Sequence, residues 1–238
     1  MEYKILTIIF LLSITLNYFF IKVDYLKDNR SKRQTQDIHL GNTPRLGGLI
    51  MIIIFFGYEI LSFKSFNILF WCSLIVLVPA FLEDLRFSIN PLIRLTAIII
   101  SCLILIINLP SLPQFNFGLL NILFNNNLFQ IIFFTLAMTT IINGQNIIDG
   151  TNGLSAMTAL SIFGSILFLG IYLNDLNVIR TSSVIIILIL GFLFFNYPLG
   201  KIFLGDTGSY FLGLISSYLI IDIFAQNQEL SSWSAVVI

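Results

Sequence analysis

The stretch 140–157, "TIINGQNIIDGTNGLSAM", sets three asparagines, an aspartate and three glycines between two apolar runs, 128–142 and 154–173. What surrounds it decides how it is read. Over 238 residues the chain is 57% hydrophobic, holds 24 Phe and is only 10% charged, where an ordinary soluble domain carries about 25% charge. The runs therefore sit in lipid, and the polar stretch is a junction between two membrane spans. Further runs of similar character lie at 5–21, 46–63, 67–82, 92–109, 179–197 and 207–224, and a last one starts near 232. Each approaches the ~20 residues that cross a ~30 Å hydrocarbon core. The expected fold is all-α: a polytopic integral membrane protein of about eight or nine transmembrane helices, with residues 1–238 forming one membrane-embedded domain. The first run has no small-residue cleavage site and many spans follow it, so it reads as a retained helix. Cys72 and Cys102 lie inside apolar runs without metal-ligand or redox spacing and read as small packing residues.

Basic residues orient the chain. Loops rich in Lys and Arg stay on the cytoplasmic side, and the first connection holds Lys22, Lys27, Arg30, Lys32, Arg33 and Arg45, half of the twelve basic residues. Placing that loop inside puts the N-terminus outside. Arg86, Arg94 and Lys201 then also fall inside, and only Lys4, Lys64 and Arg180 outside. The zero net charge says little about partners, since location matters more than sum in a membrane protein. On this topology the inner segments are "FLEDLRFSINP", "NGQNIIDGTNG" and "NYPLGKIFLGDTG", besides the basic loop. Polar clusters 40 to 60 residues apart in sequence thus share one face.

Four carboxylates concentrate there: Glu83, Asp84, Asp149 and Asp206. Carboxylates at membrane depth are expensive and usually pair, coordinate a cation or line a wet cavity. Oxygen ligands of this kind suit Mg²⁺, which keeps several waters and binds through one or two carboxylates plus substrate phosphates. Such a metal neutralises a pyrophosphate while another carboxylate orients the nucleophile or takes its proton. Glu83 and Asp84 are adjacent, so on a helix they point ~100° apart and suit separate roles. In "DGTNG" and "GDTGS" the glycines let oxygens approach the backbone; equally, such strings make turns or pack helices together. In "HLGNTPRLGG", His39, Thr43 and Arg45 stand where a cation and hydroxyls meet phosphate, with His39 a binding or structural group rather than a base. The Lys22–Arg33 stretch reads as a topology determinant with affinity for anionic lipids.

In order, "TPRLGG", "FLEDLRF…R", "NGQNIIDGTNGL" and "FNYPLGKIFLGDTGSYFLG" resemble the motif series of the polyprenyl-phosphate glycosyl-1-phosphate transferases. The Glu-Asp pair, "TPR" and "NIIDGTNGL" look most like the WecA/WbpL-type initiators of surface polysaccharide, rather than the MraY-type translocases. The resemblance covers essentially the whole chain. It implies a Mg²⁺-dependent enzyme, with Mn²⁺ as substitute, that moves an N-acetylhexosamine 1-phosphate from a UDP-sugar to undecaprenyl phosphate and releases UMP. The reaction would start cell-envelope polysaccharide or lipopolysaccharide synthesis at the cytoplasmic face of the bacterial inner membrane. By position, Asp206 is the main metal ligand, joined by Asp149. Asp84 is the candidate base or orienter of the lipid phosphate, assisted by Glu83, with Asp149 as a third catalytic acid. Asn146 serves the metal–pyrophosphate region, and Asn152 and Gly153 the nucleotide wall. Asn196 and Phe203 match positions that recognise and stack on uracil, with Lys201 adding charge. Membrane lipids are partners, homodimerisation is a family expectation and no nucleic-acid partner is expected. Relatives continue past "SSW" into a loop with a His-x-His-type motif, so the chain is expected to be truncated. A transporter would read the same acids as an ion pathway, but it would place them mid-span or in an internal repeat; here they cluster at span ends.

Overall fold

The computed structural model describes residues 2–22, 43–63, 67–85, 87–114, 123–227 and 230. Among them are eight helices: α1 (Glu2–Lys22), α2 (Gly47–Phe63), α3 (Ile68–Asp84), α4 (Pro91–Ile107), α5 (Asn127–Ile147), α6 (Leu154–Leu173), α7 (Leu176–Asn196) and α8 (Gly205–Gln226). Helices α3, α4, α5 and α7 begin where short polar side chains cap them. Asn67, Asn90, Asn126 and Asp175 each accept a backbone N–H of the turn that follows, which satisfies donors the first turn leaves over.

Five helices, α1, α5, α6, α7 and α8, are long and apolar enough to cross a membrane. This corrects the expectation of eight or nine such spans. Helices α2, α3 and α4 have 17 residues each, about 25 Å of helix, and the run near 232 lies outside the described residues. The shorter helices still follow the long ones. Arg94, in the first turn of α4, meets Asp206 at the start of α8, and Ser111, just beyond α4, donates to the Ala225 carbonyl at the other end of α8 at 2.9 Å. The α4 segment thus touches both ends of α8, while the helices it packs against are α3 and α5.

Helix α8 is the axis of the bundle, ringed by α2, α3, α5 and α6, while α4 bridges α3 and α5, and α1 and α7 complete the side next to α2 and α6. In its membrane window 83% of α8 is buried, against 17% of α1. A helix enclosed on all sides needs small residues where neighbours come close. Gly208 and Gly48 supply one crossing: a Cβ on Gly48 would lie 2.1 Å from the Gly208 Cα. Gly213 supplies another, where a Cβ would come within 2.8 Å of the Ile142 Cα on α5. Between these two glycines on α8, Phe211 meets Phe55 of α2 edge to face at 5.4 Å. Cys72 and Cys102 are free and buried, and the Ser101 hydroxyl donates to the Cys72 carbonyl at 2.8 Å, joining α3 to α4.

The polar stretch at 140–157 is divided differently from its sequence pattern. The apolar run ends at 142, yet α5 continues to Ile147. Asn143 bonds back to the Thr139 carbonyl at 2.8 Å, and Gln145 reaches both Oγ and the carbonyl of Ser155 at 2.9 Å. Polar side chains that find partners keep the helix going where hydropathy alone ends it. The turn to α6 comes afterwards, at Gly153, whose φ of +81° a side chain would strain.

Candidate active site

The ends of α3, α5 and α7 and the starts of α2, α4, α6 and α8 lie at one end of the bundle, and the acids meet there. The start of α8 is the centre. Its N-cap is Leu204, which offers no capping side chain. Asp84 at the end of α3 does that work from across the interface. Its Oδ1 accepts the Asp206 N–H at 2.9 Å, and its Oδ2 accepts the Thr207 N–H at 2.9 Å and the Thr207 hydroxyl at 2.5 Å. An anion on the first N–H groups of a helix also meets the positive end of its dipole. The carboxylate fits only because residue 205 is glycine: Gly205 has φ +78°, and a Cβ there would lie 2.7 Å from Asp84 Oδ2.

Asp206 faces the other way. Its Oδ2 accepts from Arg94 Nη1 at 2.6 Å and its Oδ1 from Asn146 Nδ2 at 3.2 Å. Asn146 also donates to Ser209 Oγ at 2.9 Å, and that hydroxyl donates to the Asp206 carbonyl at 3.1 Å. Asp149, half-buried in the loop after α5, completes the acidic group. Burial above all, then repulsion from Asp206 and Asp84, push its carboxyl up to about 7 against a downward pull from Arg45. Glu83 serves the neighbouring turn, accepting the Ile89 N–H at 2.9 Å. Glu83 and Asp84, adjacent in sequence, thus have separate partners.

The second half of the floor is built around residues 197–204. Phe203 bonds to the "TPRLGG" segment through its backbone, donating to the Pro44 carbonyl and accepting from Gly47, at 2.9 and 3.0 Å. Gly48 donates to the Leu204 carbonyl at 2.9 Å. Thr43 Oγ1 donates to the Gly200 carbonyl at 3.3 Å. Asn152 packs against Gly200, which has φ +58°, and Gly153 against the Tyr197 ring. Asn196 is 3% exposed; its Nδ2 donates to the Ile202 carbonyl at 2.8 Å, while its Oδ1 is buried without a partner. Lys201 is exposed. His39 lies outside the described residues.

Asp84, Asp149, Asp206, Asn146 and Arg45 thus converge as expected, and Thr43, Asn152, Gly153, Asn196, Lys201 and Phe203 line the adjoining loop. Arg94, Thr207 and Ser209 were not among the expected site residues. Arg94 carries a legible signal: a cation in the first turn of an apolar helix opposes the helix dipole and calls for an acidic partner. The glycines of "GDTGS" divide their labour, Gly205 seating Asp84 and Gly208 admitting α2.

The donor set fits a hard divalent cation: carboxylates and amide oxygens, with one carboxyl already pushed up by burial and acidic neighbours. Among the described residues no three acids, cysteines or histidines are placed to hold one metal ion between them. A cation here would be held by one or two carboxylates and otherwise by water and substrate oxygens, the usual habit of Mg²⁺.

The family model described as glycosyl transferase family 4 matches residues 66–224. A phospho-N-acetylmuramoyl-pentapeptide-transferase of Leuconostoc mesenteroides is 38% identical over 111 residues, 46% of this chain and 31% of that protein. A probable undecaprenyl-phosphate N-acetylglucosaminyl 1-phosphate transferase of Bacillus subtilis is 40% identical over 79 residues, 33% of this chain and 22% of that protein. A phospho-N-acetylmuramoyl-pentapeptide-transferase of Streptococcus uberis is 26% identical over 250 residues, 92% of this chain and 70% of that protein. The matches to the first two thus span about a third or less of those relatives' own length.

Proposed function

The chain belongs to glycosyl transferase family 4, within the polyprenyl-phosphate glycosyl-1-phosphate transferase superfamily, and from that premise we propose that it transfers a sugar 1-phosphate from a UDP-N-acetylhexosamine to undecaprenyl phosphate. A phosphate oxygen of the lipid attacks the phosphorus next to the sugar; the bond to the bridging oxygen breaks, and UMP leaves with it. The single observation that supports this reading best is the convergence of Asp84, Asp149, Asp206, Asn146 and Arg94, drawn from separate connections, at one end of an apolar bundle.

Asp206 and Asp149 would hold Mg²⁺, or Mn²⁺ in its place, and the cation would supply neutralisation of the diphosphate. Asn146 orients Asp206 through its amide. Asp84, with both oxygens engaged by α8, acts as orienter of the site and of the lipid phosphate beside it, and Glu83 fixes the turn that carries Arg94. Thr43, Arg45 and His39 contribute hydroxyl and positive charge for the phosphates. Asn152, Gly153, Asn196, Lys201 and Phe203 form the nucleoside side. The motif "NIIDGTNGL" favours a WecA/WbpL-type initiator of envelope polysaccharide or lipopolysaccharide, working as a multi-pass protein on the cytoplasmic face of the inner membrane, and as a homodimer.

The test is a reaction on membranes carrying this chain, with undecaprenyl phosphate, Mg²⁺ and a panel of radiolabelled UDP-N-acetylhexosamines. The expected outcome is a lipid-linked product with release of UMP, abolished by EDTA and by Asp206→Asn. Product formation that survives both treatments would exclude this site.

A further inference from the structure

The Arg94–Asp206 pair carries the inference furthest. Asp206 is the acid on which the proposed reaction most depends, yet neither of its oxygens is free: Oδ2 accepts from Arg94 at 2.6 Å and Oδ1 from Asn146 at 3.2 Å. The Arg94 and Asp206 side chains are 19% and 23% exposed, so water and salt screen the pair less than they would a surface pair. The contact is also incomplete. A guanidinium can offer two parallel N–H groups to one carboxylate; here a single Nη1 contact is made, and the buried Nε has no partner. A partly satisfied Arg on a carboxylate is poised to exchange.

We propose that Arg94 is the resident counter-ion of Asp206 and competes with the divalent cation for that carboxylate, so that it sets the cation affinity of the site. This rests on the reading of Asp206 as a metal ligand. The guanidinium and the cation carry charge of the same sign and seek the same oxygen, so one occupies Oδ2 as the other leaves it. Asp149 and Asp84, which repel Asp206's charge, make an uncompensated state costly. The site therefore passes from one counter-ion to the other rather than standing open. Displaced from Asp206, Arg94 keeps a planar fork suited to phosphate oxygens, at the mouth where a diphosphate would arrive.

The experiment is titration of the detergent-purified chain with Mn²⁺, reading free Mn²⁺ by electron paramagnetic resonance. Wild type, Arg94→Gln, Arg94→Met, Arg94→Lys and Asp206→Asn are compared, each checked for folding by thermal unfolding. Removing the competitor tightens Mn²⁺ binding about tenfold in Arg94→Gln and Arg94→Met, while Arg94→Lys, which keeps the charge, stays near wild type. If Asp206→Asn abolishes binding and the neutral variants bind as wild type does or more weakly, the competition is wrong and the metal reading survives. If no variant binds Mn²⁺, or Asp206→Asn binds undiminished, the metal reading fails and this proposal fails with it.

Discussion

At the residue scale the site is a set of charges that would repel one another without assigned partners. Asp84 has three donors, Asp206 has Arg94 and Asn146, and Asp149 has the distant pull of Arg45. Asp206→Asn should lower turnover by about a hundredfold or more; a change within threefold, under ~0.7 kcal/mol in barrier, would remove Asp206 from the chemistry. Asp149 gives a stability prediction. Its carboxyl is pushed up to about 7, so the folded state holds a proton that the unfolded state, with an Asp pKa near 3.9, gives up earlier. The fold therefore loses stability as pH rises from about 4 to about 7. In EDTA, Asp149→Asn should raise the unfolding temperature more at pH 8 than at pH 5; an equal gain at both would mean that the carboxyl is not desolvated. That carboxylates gather on one face is legible from the basic loops. Their pairing is not, because Asp84 meets Asp206 across 122 residues and Arg94 meets it across 112, and no local pattern encodes such contacts.

At the scale of elements, glycine decides how closely helices meet. Gly205→Ala puts a methyl against Asp84 and forces a positive φ on an L residue, which should cost about 1–3 kcal/mol and loosen the α3–α8 cap. Unchanged thermal unfolding in detergent would show that the helix start can shift to accommodate it. Gly48→Val should destabilise by a comparable amount through the α2–α8 crossing, with no gain on moving the pH, because packing and not charge is altered. The helices themselves were readable from apolar runs, most closely α6, whose run and helix both cover 154–173. The end of α5 was not, since the side chains of Asn143 and Gln145 are satisfied by tertiary or back-bonded partners that hydropathy does not count. The single-residue role of Gly205 was equally hidden, because "GDTGS" reads the same whether its glycines face a ligand, a neighbouring helix or a carboxylate.

For the whole molecule, the alternation of the eight described helices puts residues 87–90, 148–153 and 197–204 at one end of the bundle, the arrangement the basic-residue bias assigns to the cytoplasm. Lys201→Cys tests the orientation: the exposed thiol should react with an impermeant maleimide in inverted vesicles and not in intact cells. The native cysteines, both buried, leave that signal without background. Labelling from the outside would invert the topology and place the acids on the wrong face for a cytoplasmic donor. The Asp84 cap has a further consequence, in the order of events during synthesis. Asp84 leaves the ribosome 122 residues ahead of Asp206, which at 5–20 residues per second is on the order of ten seconds. Through that interval the carboxylate at the end of α3 has no helix start to receive it. Docking of α8 is thus the event that assembles the site, and the protein gains its anionic centre only after the rest of the described bundle has been made.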